Sequence, residues 1–71
     1  MSIDGKRVVF TGVVQGLQKY QVLNMLEELG GEIRTKVSHQ TDVLVVAGTP
    51  GLKTQQKAEA FGIPVVKFAD L

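Results

Sequence analysis

The chain of 71 residues is 44% hydrophobic and 21% charged, and its eight Lys/Arg against seven Asp/Glu leave a formal net charge of +1. That size holds one small domain, able to bury about 60 to 65% of its unfolded surface, and that charge allows nucleic acid to be bound only through a local cluster of cations. No apolar run approaches the roughly 18 residues of a membrane-spanning helix, the absence of cysteine excludes disulfides, a thiolate nucleophile and a cysteine zinc site, and the opening MSIDGKR has no signal-peptide core, so an intracellular location is expected.

The first element is Val8 to Phe10. Continuous β-branched and aromatic runs of this length read as strands covered on both faces, the signature of a parallel sheet. Here the run VVFTGVV is broken by Thr11-Gly12. Leu17 to Leu29 follows, with Val22, Met25, Leu26 and Leu29 spaced i, i+3, i+4, i+7 along one helix face, and Gly30-Gly31 supplies the residue type a left-handed C-cap prefers. Glu32 to Val37 alternates, with Ile33, Thr35 and Val37 on one face and Glu32, Arg34 and Lys36 on the other. That pattern predicts an edge strand whose charges discourage further pairing. Val43 to Val46 is a second buried run, and the loop Ala47 to Gly51 follows it. Thr49 is its candidate helix cap, with Pro50 opening a second helix that reaches about Phe61 and stops at Gly62. Ile63 to Val66 is the last strand.

Right-handed crossovers place the edge strand on one side of the first strand and the third strand on the other. The expected fold is therefore α/β, a four-stranded parallel sheet of order 2-1-3-4 flanked by helices. Strand order reverses between strands 1 and 3, and open α/β sheets bind ligands at such a switch point, outside the carboxyl ends of the strands. Thr11-Gly12 and Ala47 to Gly51 meet there.

A hydroxyl followed by glycine after a strand offers an anion one O–H and one unobstructed N–H. Lys19 falls in the first turn of the first helix, where the helix dipole disfavours a cation unless an anion is near. That helix start has no Ser, Thr, Asp or Asn cap, which leaves N–H groups available. Lys53 and Lys57, four apart on the second helix, repel each other unless an anion sits beside them. Each charge-assisted hydrogen bond contributes about 1.5 to 3 kcal/mol gross, so three or four ligands around one phosphate support micromolar binding. The plain alternative stays open at each position: Thr11 ends the strand, Gly12 makes the turn, and the lysines are solvated.

Catalytic groups are sparse. His39 is the single histidine and lies in a polar loop, where solvent is its usual neighbour, while Asp4, Asp42 and Asp70 have no metal or acid/base spacing. The patterns GxxxxGK[ST] and GxGxxG are absent. No catalysis, metal or cofactor is expected.

Taken together, Gly5-Lys6-Arg7 leading into Val8 to Gly12, then Leu29 to Ile33, Val37 to Val46 and Lys57 to Pro64, resemble a BRCT domain over essentially the whole chain, residues 1–71. The likeness is greatest to the single BRCT domains of bacterial NAD-dependent DNA ligases, of the large clamp-loader subunit and of exonucleases related to the polymerase III epsilon subunit. The resemblance implies the same 2-1-3-4 sheet, with helices one and three on one face and helix two on the other. It also implies a phosphate pocket made by Thr11, Gly12, Lys19 and Lys53, with Lys57 matching the next lysine of the family's segment. Two departures stand out. Three residues separate Lys53 from Lys57 where the family usually has two, so Lys53 is either turned by about 100° or sits in the preceding loop. The chain ends at Phe68-Ala69-Asp70-Leu71, where the third helix begins in the family and where many members carry a tryptophan; the third helix is thus minimal, or the chain is part of a longer protein.

The function so implied is a non-catalytic module that holds a phosphate, foremost the 5′ phosphate of a DNA end, for a replication or repair enzyme in a bacterial cytoplasm (a nucleus, if eukaryotic). The alternatives are a module binding a phosphopeptide or an unmodified protein, and an architectural domain whose Thr11-Gly12 is only a turn. Other domains of a parent enzyme are further expected partners.

Overall fold

β1 runs from Arg7 to Gly12 in the computed structural model, which describes residues 2–71; Met1 lies outside them. It is followed by α1 (Lys19–Glu28), β2 (Glu32–Arg34), β3 (Val43–Ala47), α2 (Leu52–Ala60) and β4 (Val65–Lys67), and by a 3₁₀ turn at Phe68–Asp70. The sheet has the order β2-β1-β3-β4 with every pair parallel, as the crossover rule requires. β1 and β3 pair along five residues, from Val8 opposite Val43 to Gly12 opposite Ala47.

The two central strands alternate between two covered faces, which explains their unbroken apolar runs. Val8, Phe10, Val43 and Val45 face α1 and meet its buried Val22 and Leu26. Val9 and Leu44 face α2 and its buried Ala58, together with Val37 and Ile63. β4 departs from this pattern. As an edge strand it has β3 alone for a neighbour, and Val65 is 45% exposed, so the run Ile63 to Val66 is not covered on both faces along its length.

Besides β4, which spans Val65–Lys67 where Ile63 to Val66 is expected, three boundaries differ from the sequence expectation, each for a stated reason. β2 ends at Arg34, opposite Val9, and the chain bends at Thr35 and Lys36. Strict alternation puts Ile33 and Val37 on one face, yet Ile33 packs on the α1 side and Val37, 4% exposed, packs on the α2 side; the bend turns Val37 through the sheet. α2 starts after Gly51, its N-cap, and neither Thr49 nor Pro50 opens it. The Gly51 N–H donates to Thr11 Oγ1 at 3.1 Å, which ties the start of α2 to the end of β1. α1 is shorter than Leu17 to Leu29, and half of its expected buried face is open: Met25 is 42% and Leu29 50% exposed. On that side of the sheet α1 is joined by the 3₁₀ turn, which stands where the start of a third helix is expected. Met25 and Leu29 line a cleft of about 410 Å³ with Phe68 and Leu71.

Gly12 marks the end of the β1–β3 ladder. Its φ is +108°, and a Cβ there would lie 1.8 Å from the Ala47 carbonyl oxygen. Gly16 also has positive φ, +86°, but nothing lies within 4 Å of its would-be Cβ. In urea denaturation followed by circular dichroism, Gly16→Ala is expected to cost about 1 kcal/mol, the backbone contribution alone. Gly12→Ala is expected to cost at least about 2 kcal/mol more, because the strands must part.

Candidate functional site

At the carboxyl end of the sheet, the end of β1, the bend after β2 and the first turns of both helices enclose a cleft of about 310 Å³. Its polar lining includes Thr11, Lys19, Lys36, Lys53, Thr54 and Lys57. Four of the five residues singled out from the sequence, Thr11, Lys19, Lys53 and Lys57, therefore share one cleft. Lys53 is the second residue of α2 and not part of the preceding loop, and Lys53 and Lys57 both line the same cavity. Gly12 does not line it. Its N–H nevertheless has no ladder partner to spare on β3, where the Val13 N–H donates to the Ala47 carbonyl at 3.1 Å, nor on β2, which ends opposite Val9. By alternation along the strand, the Gly12 N–H faces the side that β2 has vacated.

Thr11 is partly buried. Its hydroxyl oxygen accepts from the Gly51 N–H, which leaves its own hydrogen to donate outward. The start of α1 is only partly open: Gln18 is the N-cap, and the Gln21 Oε1 accepts from the Gln18 N–H at 2.7 Å. The glutamine pair thus does the work that a Ser or Asp cap does elsewhere.

The charge balance of the cleft is one-sided. No Asp or Glu is among its lining residues, and neither helix carries an acidic residue in its first turn. Among the described residues the salt bridge present is Arg34 to Glu32, at 2.8 Å, so none of Lys19, Lys36, Lys53 and Lys57 is ion-paired. Lys57 is partly compensated by the Phe61 ring, whose centroid is 5.9 Å from Nζ, a cation–π distance. His39, expected in solvent, stacks on the same ring with centroids 3.9 Å apart. Though exposed, it ties the β2–β3 loop to the end of α2.

Lys36 and Thr54 were not legible as site residues. On an unbroken β2, Lys36 belongs with the outward charges of an edge; the bend at Thr35 brings it into the cleft. No residue type in Thr35-Lys36 announces that bend. Thr54 lies one residue after Lys53 at the start of α2, and its spacing from Gly51 was the available signal.

The described residues contain no group of three or more His, Cys, Asp or Glu able to hold a metal, and no helix long and apolar enough to cross a membrane. Asp42 has a structural task, its Oδ2 accepting from the Arg7 N–H at 2.8 Å.

A four-stranded parallel sheet of this order, with a lysine-lined cleft at its carboxyl end, is the architecture of a small α/β module, and comparison with known proteins gives the family. The model of the BRCA1 C Terminus (BRCT) domain matches residues 3–71, and the chain belongs to the BRCT family. Among curated relatives, a DNA ligase of Synechococcus sp. (strain JA-3-3Ab) is 42% identical over 69 residues, 97% of this chain and 10% of the ligase. A DNA ligase of Dichelobacter nodosus is 37% identical over 67 residues, 94% of this chain and again 10% of the relative. The chain thus spans about a tenth of the ligases it matches, and what it matches is their BRCT part, a non-catalytic module. Among solved structures, the C-terminal BRCT domain of human XRCC1 superposes with a TM-score of 0.69 over 96% of this chain and 72% of the other, at 13% identity; that likeness is one of fold.

Lys19 and Lys53, in the first turns of their helices, oppose the helix dipoles as well as each other's charge. Lys19→Gln with Lys53→Gln is therefore expected to raise unfolding free energy by about 0.5 to 1 kcal/mol in low-salt buffer lacking multivalent anions. In about 1 M sodium chloride the gain should disappear, because screening at that ionic strength acts over roughly 3 Å.

Proposed function

We propose that this chain is the phosphate-binding BRCT module of a bacterial DNA replication or repair enzyme, such as a DNA ligase, and that its cleft receives the 5′ phosphate of a DNA end. The observation that carries this is the convergence of four lysines without an ion partner, and a threonine hydroxyl free to donate, on one cleft with no carboxylate in its wall. Such a cluster is destabilising when empty and is reversed in sign by a dianion. In this role Thr11 donates its O–H and Gly12 its N–H, Lys19 and Lys36 close on the phosphate from α1 and the β2 bend, and Lys53 and Lys57 approach it from α2. Relatives named as DNA ligases, from several bacteria, favour a DNA end as the source of the phosphate.

A second reading, capture of a phosphopeptide or an unmodified protein, is favoured by an apolar cleft of about 710 Å³ on the other side of the β1 end, lined by Val13, Val46, Pro50, Val65 and Phe68. Val13 is 67% exposed there.

The deciding experiment is fluorescence anisotropy with a labelled recessed-end duplex, with and without its 5′ phosphate. At least tenfold tighter binding of the phosphorylated end, about 1.4 kcal/mol, is expected. Thr11→Ala and Lys19→Ala should abolish that difference, Thr11→Ser should keep it, and Lys19→Ala should reduce the salt slope by about 1. Equal affinity for both ends would overturn the DNA-end function.

A further inference from the structure

The phosphate cleft does not end at Lys36. Thr35 and Lys36 also form the wall of an adjoining polar cavity of about 240 Å³, completed by Arg34, Ser38 and Gln40. We infer that this second cavity holds the next phosphate along the same DNA strand, the first internucleotide linkage after the 5′ end. The inference rests on the proposed DNA-end function and adds a second subsite and a strand direction to it.

Several observations support the assignment. The bend that ends β2 presents the same two residues to both cavities, so the two cavities adjoin. Consecutive phosphates of one strand need anion sites that adjoin in this way. The second cavity, like the first, has no Asp or Glu in its wall, and it adds a guanidinium, whose planar donor fork suits phosphate oxygens. Its loop is already ordered. The Ser38 N–H donates to Thr41 Oγ1 at 3.0 Å, the Gln40 N–H donates to Ser38 Oγ at 3.2 Å, and Arg7 Nη1 donates to the Gln40 carbonyl at 3.3 Å. The Ser38 hydroxyl therefore keeps its hydrogen for an outside acceptor.

Arg34 is held on the edge by Glu32 through one contact, Nη2 to Oε1 at 2.8 Å, with the two side chains 48% and 57% exposed. A guanidinium has five N–H donors, and one engaged contact leaves the others to a phosphate. Glu32 thus positions Arg34 and at the same time competes with the phosphate for it. Removing the guanidinium weakens the complex, whereas removing the competing carboxylate strengthens it.

The test uses the same 5′-phosphorylated duplex with a neutral methylphosphonate at the first linkage of the phosphorylated strand, and a control duplex with it at the fourth. With the unsubstituted protein, the first-linkage change is expected to weaken binding about three- to fivefold and the fourth-linkage change to leave it unaltered. In Arg34→Gln, binding of the natural duplex should fall by a similar factor and the first-linkage change should cost nothing more, the mark of a direct pairing. Glu32→Gln should bind the natural duplex more tightly. An equal first-linkage penalty in Arg34→Gln, with 5′-phosphate dependence intact, overturns the second subsite and leaves the DNA-end function standing. Loss of 5′-phosphate dependence in the unsubstituted protein overturns both. Circular dichroism and urea midpoints of both variants confirm that the fold is retained, as expected for two half-exposed side chains.

Discussion

The contact on which the rest depends is the close approach of β1 to β3 at Gly12 and Ala47. Five residue pairs hold the two strands side by side, and the last is closed only because position 12 has no Cβ. With the strands together to their ends, the Thr11 side chain reaches the start of α2 and accepts from the Gly51 N–H. That hydrogen bond ties the start of α2, which carries Lys53, Thr54 and Lys57, to the end of β1. A looser strand end would move one helix N-terminus away from the other and open the cleft between them.

The cleft also has a cost written into its composition. Helix first turns favour acidic residues and helix ends favour basic ones, yet here the first turns hold Lys19 and Lys53 and no carboxylate. Arg34 and Glu32 show that the chain can pair its charges on the same edge. The lysines of the cleft are left without such partners while a short distance away a pair forms, so the shortage is local. A domain of this size has little stability in reserve, and a cluster of like charges draws on it in the absence of an anion.

Much of the architecture was legible in the residues. The β-branched runs at Val8 to Phe10 and Val43 to Val46 implied strands covered on both faces, and the crossover rule then ordered the sheet. Thr11, Lys19, Lys53 and Lys57 were legible as neighbours because topology places strand ends and helix starts together, whatever their distance in sequence. What could not be read were features decided by a partner segment. β2 stops opposite Val9 although β1 runs on to Gly12, so Lys36 enters the cleft through a bend that nothing in Thr35-Lys36 encodes. The N-cap of α2 is Gly51, tied to Thr11 40 positions away, so the local candidates Thr49 and Pro50 misled. Met25 and Leu29 have the spacing of a buried face, but spacing reports which side of a helix is apolar and not how much of that side is covered.

The two helices are not held to the sheet equally. α1 is anchored by two fully buried side chains, Val22 and Leu26, whereas among the described residues α2 has one, and it is an alanine. Apolar area buried is what resists local opening, so α2 is the layer with the smaller free-energy gap between closed and detached forms. Its amides should exchange with solvent through brief departures of the helix rather than through global unfolding. Three of the cleft's lining residues travel with that helix, and the others stay with the sheet and α1. An anion in the cleft would therefore act as a clasp between a firm layer and a loose one, and occupancy would be recorded as slower exchange along α2 even where no atom of the fold changes place.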